Sequence, residues 1–588
     1  MTRNLFKWLL VLFACVHGFT LTARAQAGDA NPPAPSGVIT GHVTNTNGEI
    51  PNNATAYASA SSSLMGPPRS TPVNNDGNFK FEGLEVGVYR VWTGAPGFVA
   101  DAPGSTDGRG FVHTGESANL RLRKGGVITG TVLNSNNTPV VGASVRALRI
   151  RDEAGKPIET VSSFNERFTD DRGVYRIYGL MPGTYVVAAG GVSRMYGGYA
   201  NTGYDQDVPT YAPSSTRDTA MEITVRSGEE ATADVQYRGE PGHAISGTVT
   251  GVAQTSGGII SSASITVMDV KTHTVVMNSN ASSYNGYGFA VFGLADGEYE
   301  LVAQNFSPQT RDITTSQAKR IKVQGADIGG VTLTVAPLPA ISGRVMLDNA
   351  TSDCGKRRET VLQETIIFGQ REKQTAKSAD AKTNSTTEQV PLIFATQNAD
   401  TVADAKGDFV LRNLHAGTYR LSITPPNAGW YVKSITMGVN PRNADSRLIS
   451  DGITLNSQSV SGINVTIAEG AAFVRGTIVT AEGKPLRDRV LVYFVPAEKE
   501  SASNLLRYFE VRSEADGAFE LRNVPPGEYL LMAQSADENR SAGVLIRQDS
   551  ALRAGVVRDA QKLNQSITLK PCERNDKFEL PYQITLKP

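Results

Sequence analysis

Apolar and polar residues alternate with a period of two in five segments that share one pattern. The segments are NDGNFKFEGLEVGVYRV from Asn75, DRGVYRIYGLMPGTYVV from Asp171, NGYGFAVFGLADGEYELV from Asn285, AKGDFVLRNLHAGTYRL from Ala405 and ADGAFELRNVPPGEYLL from Ala515. Such alternation is typical of β-strands with one buried and one solvent-facing side, and the embedded glycines favour tight turns. Each segment therefore predicts two strands joined by a short turn.

A tyrosine leads the second strand of every segment. These residues are Tyr89, Tyr185, Tyr299, Tyr419 and Tyr529. A tyrosine at the corner of a β-sandwich buries its ring while its hydroxyl bonds to nearby backbone, so we expect all five to be structural. The third segment departs from the pattern, because Tyr287 stands where the other segments have the turn glycine. The hairpin register of that segment is left open.

An opening strand of the form apolar-x-Gly-x-apolar precedes each segment, and another alternating strand follows it. The chain is therefore predicted to be all-β: a tandem array of about five seven-stranded Greek-key β-sandwich modules with almost no helix. The predicted modules are residues 36–122, 123–240, 241–337, 338–469 and 470–588, the fourth with a polar insertion near 373–389 and the fifth with a C-terminal tail. Very short linkers predict a semi-rigid rod.

The succession of G-x-V, a proline-started strand and D-G-x-F-x-L-x-x-L-x-P-G-x-Y resembles the carboxypeptidase regulatory-like domain. The fifth module carries the closest match, in GTIVTAEGKPL and ADGAFELRNVPPGEYLL. The resemblance implies a transthyretin-like (prealbumin-like) sandwich, related in shape to starch-binding and Cna-B modules. Its layout is also similar to that of large exported bacterial proteins that string such modules together.

Residues 1–27 read as a secretory signal peptide. A basic start is followed by a short apolar run and by small residues at Ala23, Ala25 and Ala27. The run is too short to span a bilayer, which needs about 20 apolar residues. We expect cleavage near Ala25 or Ala27 and a periplasmic, outer-membrane-associated or extracellular protein; lipid anchoring at Cys15 is the alternative.

Charge and cysteine content narrow the classes of partner. The chain has 57 Lys plus Arg against 57 Asp plus Glu, so it has no net charge that would favour binding to nucleic acid. Without the signal peptide, Cys354 and Cys572 are the two cysteines, too few for a disulfide framework, and their pairing is left open.

Catalytic and metal-binding motifs are weak in this sequence. His113 and Glu116 match the spacing of a zinc carboxypeptidase site, with His243 about 130 residues later. The second β-sandwich occupies the stretch between them and leaves no room for the scaffold of such an enzyme. We therefore predict no enzyme, no metal site and no cofactor.

Loop aromatics supply the candidate binding residues. The loop MYGGYANTGYDQDVPTYAPS holds Tyr196, Tyr199, Tyr204 and Tyr211, and PNAGWYV holds Trp430 and Tyr431. Exposed rings beside amide and carboxylate groups can stack on sugar rings and bond their hydroxyls, whereas the alternative is that these rings pack within the protein.

Two functions remain open at this point. The first is a secreted non-enzymatic protein that binds polysaccharide through loop aromatics. The alternative is a cell-envelope spacer or a scaffold for an envelope protein, which the short linkers favour. The sequence fixes neither the ligand nor the oligomeric state.

Overall fold

A computed structural model describes residues 36–61, 67–101, 110–158, 165–191, 203–252, 261–272, 274–307, 310, 312–348, 362–372, 398–438, 452–486, 490–535 and 546–582. Within these ranges forty strands and one α-helix form five successive β-sandwiches, called modules 1 to 5. The prediction of an all-β tandem array is confirmed.

The strands of the first two modules have these bounds. Module 1 contains β1 (Ser36–Asn45), β2 (Thr55–Ala60), β3 (Arg69–Pro72), β4 (Asn78–Glu85), β5 (Val88–Gly94), β6 (Phe98–Ala100), β7 (Phe111–His113) and β8 (Ser117–Lys124). Module 2 contains β9 (Gly126–Leu133), β10 (Ser144–Arg151), β11 (Glu166–Phe168), β12 (Val174–Leu180), β13 (Gly183–Ala189), β14 (Thr210–Tyr211), β15 (Ile223–Val225), β16 (Glu230–Thr232) and β17 (Val235–Gln236).

The last three modules follow the same plan. Module 3 contains β18 (His243–Thr250), β19 (Ser262–Asp269), β20 (Thr274–Ser282), β21 (Gly288–Leu294), β22 (Gly297–Phe306), β23 (Ile313–Ser316), β24 (Lys319–Val323) and β25 (Ile328–Pro337). Module 4 contains β26 (Ile341–Leu347), β27 (Ile366–Arg371), β28 (Asn398–Val402), β29 (Asp408–Leu411), β30 (Gly417–Thr424), β31 (Trp430–Met437), β32 (Ile453–Leu455) and β33 (Val460–Glu469). Module 5 contains β34 (Ala472–Val479), β35 (Val490–Pro496), β36 (Phe509–Arg512), β37 (Ala518–Val524), β38 (Gly527–Ser535), α1 (Ser550–Leu563), β39 (Ser566–Leu569) and β40 (Arg574–Pro581). Short 3-10 helices lie at Arg217–Thr219, Ser283–Asn285, Leu362–Glu364, Lys499–Ser501 and Leu505–Arg507.

One strand pairing recurs in every module: the opening strand lies between the first hairpin strand and the closing strand. In module 1 the two sheets have the strand orders β4-β1-β8-β6 and β3-β2-β5-β7. The opening strand β1 pairs antiparallel with β4 and parallel with the closing strand β8. Module 3 differs in one respect: β23 pairs with both β22 and β25, which joins its two sheets into one continuous sheet.

The glycine of each opening strand is required by the close approach of its neighbours. At Gly41 a Cβ atom would lie 2.3 Å from the carbonyl oxygen of Ala118 on the closing strand and 2.1 Å from the ring of Phe79. Both distances are far below van der Waals contact, so a side chain would push the strands apart. At the equivalent glycines Gly130, Gly247, Gly343 and Gly476 a Cβ atom would lie 1.8 to 2.6 Å from a carbonyl oxygen of the closing segment of the same module.

The five tyrosines are confirmed as structural. Four of them donate a hydroxyl hydrogen bond to the carbonyl four residues earlier, with oxygen to oxygen distances of 3.1 Å at Tyr89, 2.6 Å at Tyr185, 2.9 Å at Tyr299 and 2.7 Å at Tyr529. The hydroxyl of Tyr419 instead accepts from the backbone N–H of His415 at 3.0 Å. Each ring closes the corner of its own sandwich.

Module 3 keeps the common register although Tyr287 replaces the turn glycine. Tyr287 adopts the left-handed conformation with φ of 59°. Its strands pair Gly247 with Phe289, as Gly41 pairs with Phe79 in module 1. A non-glycine residue in this conformation costs on the order of 1 kcal/mol, and the sandwich holds it there because the alternation on both flanking strands permits no other register.

A left-handed residue lies near the end of the first hairpin strand in every module: Gly83, Gly179, Gly293, Asn413 or Asn523. In modules 2 to 5 this residue lies at the joint to the preceding module. The asparagine side chains hydrogen-bond across the joint: Oδ1 of Asn413 accepts from the N–H of Ile313 at 2.7 Å, and Nδ2 of Asn523 donates to the carbonyl of Trp430 at 2.7 Å.

Modules 4 and 5 share one continuous hydrophobic core, and the helix α1 contributes to it. The helix begins after Asp549, whose carboxylate accepts from two backbone N–H groups, and it buries Val556 and Ala560. It contacts β38 and β35. This helix adds to the β-sandwich plan of module 5, because the outer face of its sheet carries apolar side chains such as Tyr493 that need a cover.

The chain folds back on itself, which corrects the expectation of a rod. Val88 and Phe111 of module 1 form a buried cluster with Ile366 of module 4. The rings of Phe111 and Phe368 meet edge to face with centroids 5.4 Å apart, and Arg90 pairs with Asp400. Apolar side chains on the outer sheet face of module 1 drive this contact, since burying them removes them from water.

Two further observations concern export and oxidation. Cys572 is disulfide-bonded, and its partner lies outside the described residues. Within the described residues no helix is long and apolar enough to cross a membrane. The predicted signal peptide, Cys15, Cys354 and the polar insertion all lie outside the described residues.

Candidate functional site

An exposed aromatic pair lies on the outer face of the β3-β2-β5-β7 sheet of module 1. Trp92 is 41% exposed. Its indole stacks on the ring of Tyr57, with centroids 5.6 Å apart and planes inclined by 15°. The two residues face each other across β2 and β5, so the ladder itself fixes the pair.

Strand alternation explains why Trp92 faces solvent. In β5, Tyr89, Val91 and Thr93 point into the sandwich, and Arg90 and Trp92 point outward. Trp92 therefore lies outside the module 1 core. The signal was present in the sequence, because a residue three positions after the buried Tyr89 must lie on the opposite face of a strand.

The aromatic pair is bordered by an exposed serine on one side and by the contact between modules 1 and 4 on the other. Ser70 of β3 lies opposite Tyr57 and is exposed. Two residues along β5, Arg90 holds its guanidinium 5.0 Å from the centre of the Phe111 ring and pairs with Asp400 of module 4. The aromatic pair is thus an open platform bordered by the contact between modules 1 and 4.

The tyrosines predicted in the module 2 loop divide into two groups. Tyr196 and Tyr199 lie outside the described residues. Tyr204 is half-buried and meets Tyr237 edge to face at 5.5 Å, and Tyr211 is 7% exposed in a small apolar cluster. These last two rings lie against their own sandwich, as the packing alternative predicts.

The second predicted surface also turns inward. Trp430 is 8% exposed and belongs to the shared core of modules 4 and 5. Tyr431 beside it is half-buried, and burial raises the pKa of its hydroxyl. Trp430 belongs to a different apolar cluster from those that hold Tyr204 and Tyr211 of module 2.

His113 and Glu116, the residues with zinc-like spacing, form part of the contact between modules 1 and 4. Nδ1 of His113 lies 3.2 Å from Oε2 of Glu116, and Nε2 lies 3.1 Å from the carbonyl oxygen of Glu364. Burial by itself lowers the pKa of His113, but the bonds to Glu116 and Glu364 outweigh it and raise the pKa above its usual value. His243 lies elsewhere, 3.4 Å from Asp296, and no group of metal-ligating side chains occurs in the described chain.

Comparison with known proteins finds solved structures that are similar to this chain but assigns the chain to no family. No protein-family model matches the sequence, and no curated protein matches it. Among solved structures, the chain is similar to the TIE protein of Bacillus anthracis, with 12% identity over 75% of this chain and 69% of that chain and a TM-score of 0.14. It is also similar to GBS52, the minor pilin of Streptococcus agalactiae, with 13% identity, coverages of 34% and 96% and a TM-score of 0.18.

A third similar structure is BcpA, the major pilin subunit of Bacillus cereus, with 10% identity, coverages of 51% and 99% and a TM-score of 0.12. TM-scores this low mean that the backbones do not superpose as whole chains. The matches therefore carry no functional argument for this protein.

Proposed function

We propose that this protein is an exported, non-catalytic component of the cell envelope that binds polysaccharide through the platform of Trp92 and Tyr57. The observation that carries the proposal is the exposure of a tryptophan stacked flat on a tyrosine, on a sheet face rather than in a mobile loop. The resemblance of the modules to carboxypeptidase regulatory-like domains, with a carbohydrate-binding-like fold, supports it by analogy.

The geometry of the platform suits a sugar ring. A pyranose presents a flat apolar face of C–H groups, and an aromatic ring held rigidly by a ladder binds such a face with little loss of conformational freedom. Ser70 and Ser59 on the same outer face can hydrogen-bond sugar hydroxyls, since residues two apart on a strand share a face. Polysaccharide rather than a single sugar is proposed because the face is open.

A second candidate function is a scaffold that holds envelope proteins at fixed positions. The contact between Phe111 and Phe368 favours it, because a closed array fixes the relative positions of modules that are far apart in sequence. The two functions are compatible, but only the first requires Trp92.

The test is depletion of the mature protein from solution by a panel of soluble and insoluble polysaccharides and peptidoglycan. Trp92→Ala should lower the affinity for the retained polymer at least about tenfold, equivalent to about 1.4 kcal/mol. The matched control is Tyr178→Ala, which removes another exposed ring, 50% exposed in module 2. Tyr199→Ala tests the module 2 loop in the same assay.

The outcomes separate the candidates. Retention that falls in Trp92→Ala and persists in Tyr178→Ala supports the platform, and a fall in Tyr199→Ala alone moves the site to the module 2 loop. If no polymer retains the wild-type protein, polysaccharide binding is refuted and the scaffold function stands alone.

A further inference from the structure

A cleft of about 380 Å³ lies where modules 1, 4 and 5 meet. Its apolar walls include Phe111 of module 1, Ile423 and Val432 of module 4 and Leu506 of module 5. This volume falls within the range of small-molecule sites, about 300 to 1,000 Å³. The cleft is separate from the exposed face of Trp92.

Arg547 lies in the wall of this cleft and pairs with no carboxylate among the described residues. Its Nε donates to the carbonyl oxygen of Tyr508 at 2.7 Å, and one terminal nitrogen, Nη2, donates to that of Leu506 at 3.1 Å. The guanidinium lies 4.8 Å from the centre of the Phe509 ring. The other terminal nitrogen, Nη1, has no hydrogen-bond partner in the described part of the chain.

The other charges of the cleft are already balanced. Arg90 pairs with Asp400, and Arg420 pairs with Glu372. The positive charge of Arg547 is thus left over. Burial lowers the pKa of Arg547 to about 10, so the group remains charged at neutral pH.

An uncompensated buried charge is costly, and a bound anion removes that cost. Attraction to such an anion is also stronger in a partly desolvated cleft than in water. Gln370 lines the same space and can donate to a second oxygen of the anion. Asp400 on the lining disfavours a doubly charged phosphate relative to a singly charged carboxylate.

We propose that the cleft binds a carboxylate attached to a small apolar body, with the carboxylate on Arg547 and the apolar part against Leu506, Ile423 and Val432. Two sources carry this chemistry: the C-terminal residue of a peptide with an apolar side chain, and a free aromatic or aliphatic acid. The inference does not depend on polysaccharide binding.

The probes are N-acetyl-phenylalanine and 4-phenylbutyrate, titrated calorimetrically into the full mature protein. N-acetyl-phenylalaninamide, which has no carboxylate, and inorganic phosphate should each bind at least about tenfold more weakly than the better acid. Tighter binding of N-acetyl-phenylalanine points to a peptide C-terminus, and tighter binding of 4-phenylbutyrate to a free acid. Equal binding of acid and amide, or no binding of either acid at millimolar concentration, overturns the proposal.

The variant Gln548→Glu tests the role of the unbalanced charge without removing the structural contacts of Arg547. It places a carboxylate on the cleft wall, so acid binding should fall at least about tenfold. The control Gln548→Met keeps the size of the side chain and should change affinity less than about threefold. If the two variants bind the acids equally, Arg547 is not the anion site.

Discussion

Replacing Phe111 with alanine should detach module 1 from module 4. Phe111 is 4% exposed, and its apolar partners are Val88 and residues of module 4 rather than the core of module 1. The substitution therefore removes the contact while leaving the module 1 sandwich intact. This makes it a test of the folded-back arrangement.

The magnitude follows from the burial and ring geometry of Phe111. Burying a phenylalanine side chain is worth about 1.5–3 kcal/mol. Its edge-to-face contact with Phe368 adds about 0.5–1.5 kcal/mol. We expect the contact to lose about 2–4 kcal/mol, which lowers the ratio of docked to undocked molecules by a factor of about 30 to 700.

Small-angle scattering of the mature chain measures the result. Five sandwiches with strands of eight to ten residues, each about 30 Å long, would span about 150 Å end to end. We expect the maximum dimension of Phe111→Ala to increase toward this value. Trp92→Ala is the matched control, because it removes an aromatic ring from the same sheet face outside the contact, and its scattering should match the wild type.

A double-mutant cycle sharpens the test. Phe368→Ala should open the array as Phe111→Ala does, and the double variant should be no more open than either single variant, since the rings lose the same contact. Scattering of both single variants that equals the wild type, together with additive losses of stability, would show that the two rings do not meet and would refute the folded-back arrangement.

Two further predictions concern charge and oxidation. The pKa of His113 is raised in the folded protein, so the stability that His113 gives the contact is complete below pH 6.5 and is lost as pH rises through its folded-state pKa. The pKa of Glu116 is lowered, so the stability that Glu116 gives is lost as pH falls below 4.5. Melting curves from pH 5 to 8 should therefore show the contact weakening with pH in the wild type and in His42→Gln but not in His113→Gln; a pH dependence unchanged in His113→Gln would contradict this. Because Cys572 is disulfide-bonded, intact mass of the chain from residue 28 onward should show no free thiol. If Cys354 is the partner, Cys354→Ser should expose one thiol and lower stability by up to about 5 kcal/mol, and an unchanged thiol count would exclude that pairing.

The sandwich modules were predictable because the apolar alternation, the strand glycines and the corner tyrosines all indicate the same strands and hairpins. Alternation defines the strands, the glycine at positions such as Gly41 marks where the closing strand approaches, and the corner tyrosines fix the hairpins. Helix α1 was missed although its sequence carries a signal. Leu552, Val556, Ala560 and Leu563 recur at helical spacing. Asp549 caps the start of the helix.

The candidate site was predictable only in part. Alternation in β5 places Trp92 outside, so the platform could have been found from the sequence alone. For Trp430 and Tyr211 the sequence left binding and internal packing open, because composition does not say whether a ring faces inward, and both rings are buried. The cleft around Arg547 could not be predicted from the sequence, because three modules form it and no local sequence pattern indicates which modules contact each other.

The folded-back contact cannot form until the later of its two partners has been synthesised, so the first partner waits for the second. His113 is separated by 251 residues from Glu364, whose carbonyl it meets. At a synthesis rate of about 5–20 residues per second, Glu364 is added to the chain about 13–50 s after His113. During that interval Val88 and Phe111 stay uncovered on a sheet that is otherwise complete. A holding chaperone that recognises apolar strand surfaces would therefore meet module 1 before module 4 does, and module 1 is the part of the molecule most exposed to misassembly.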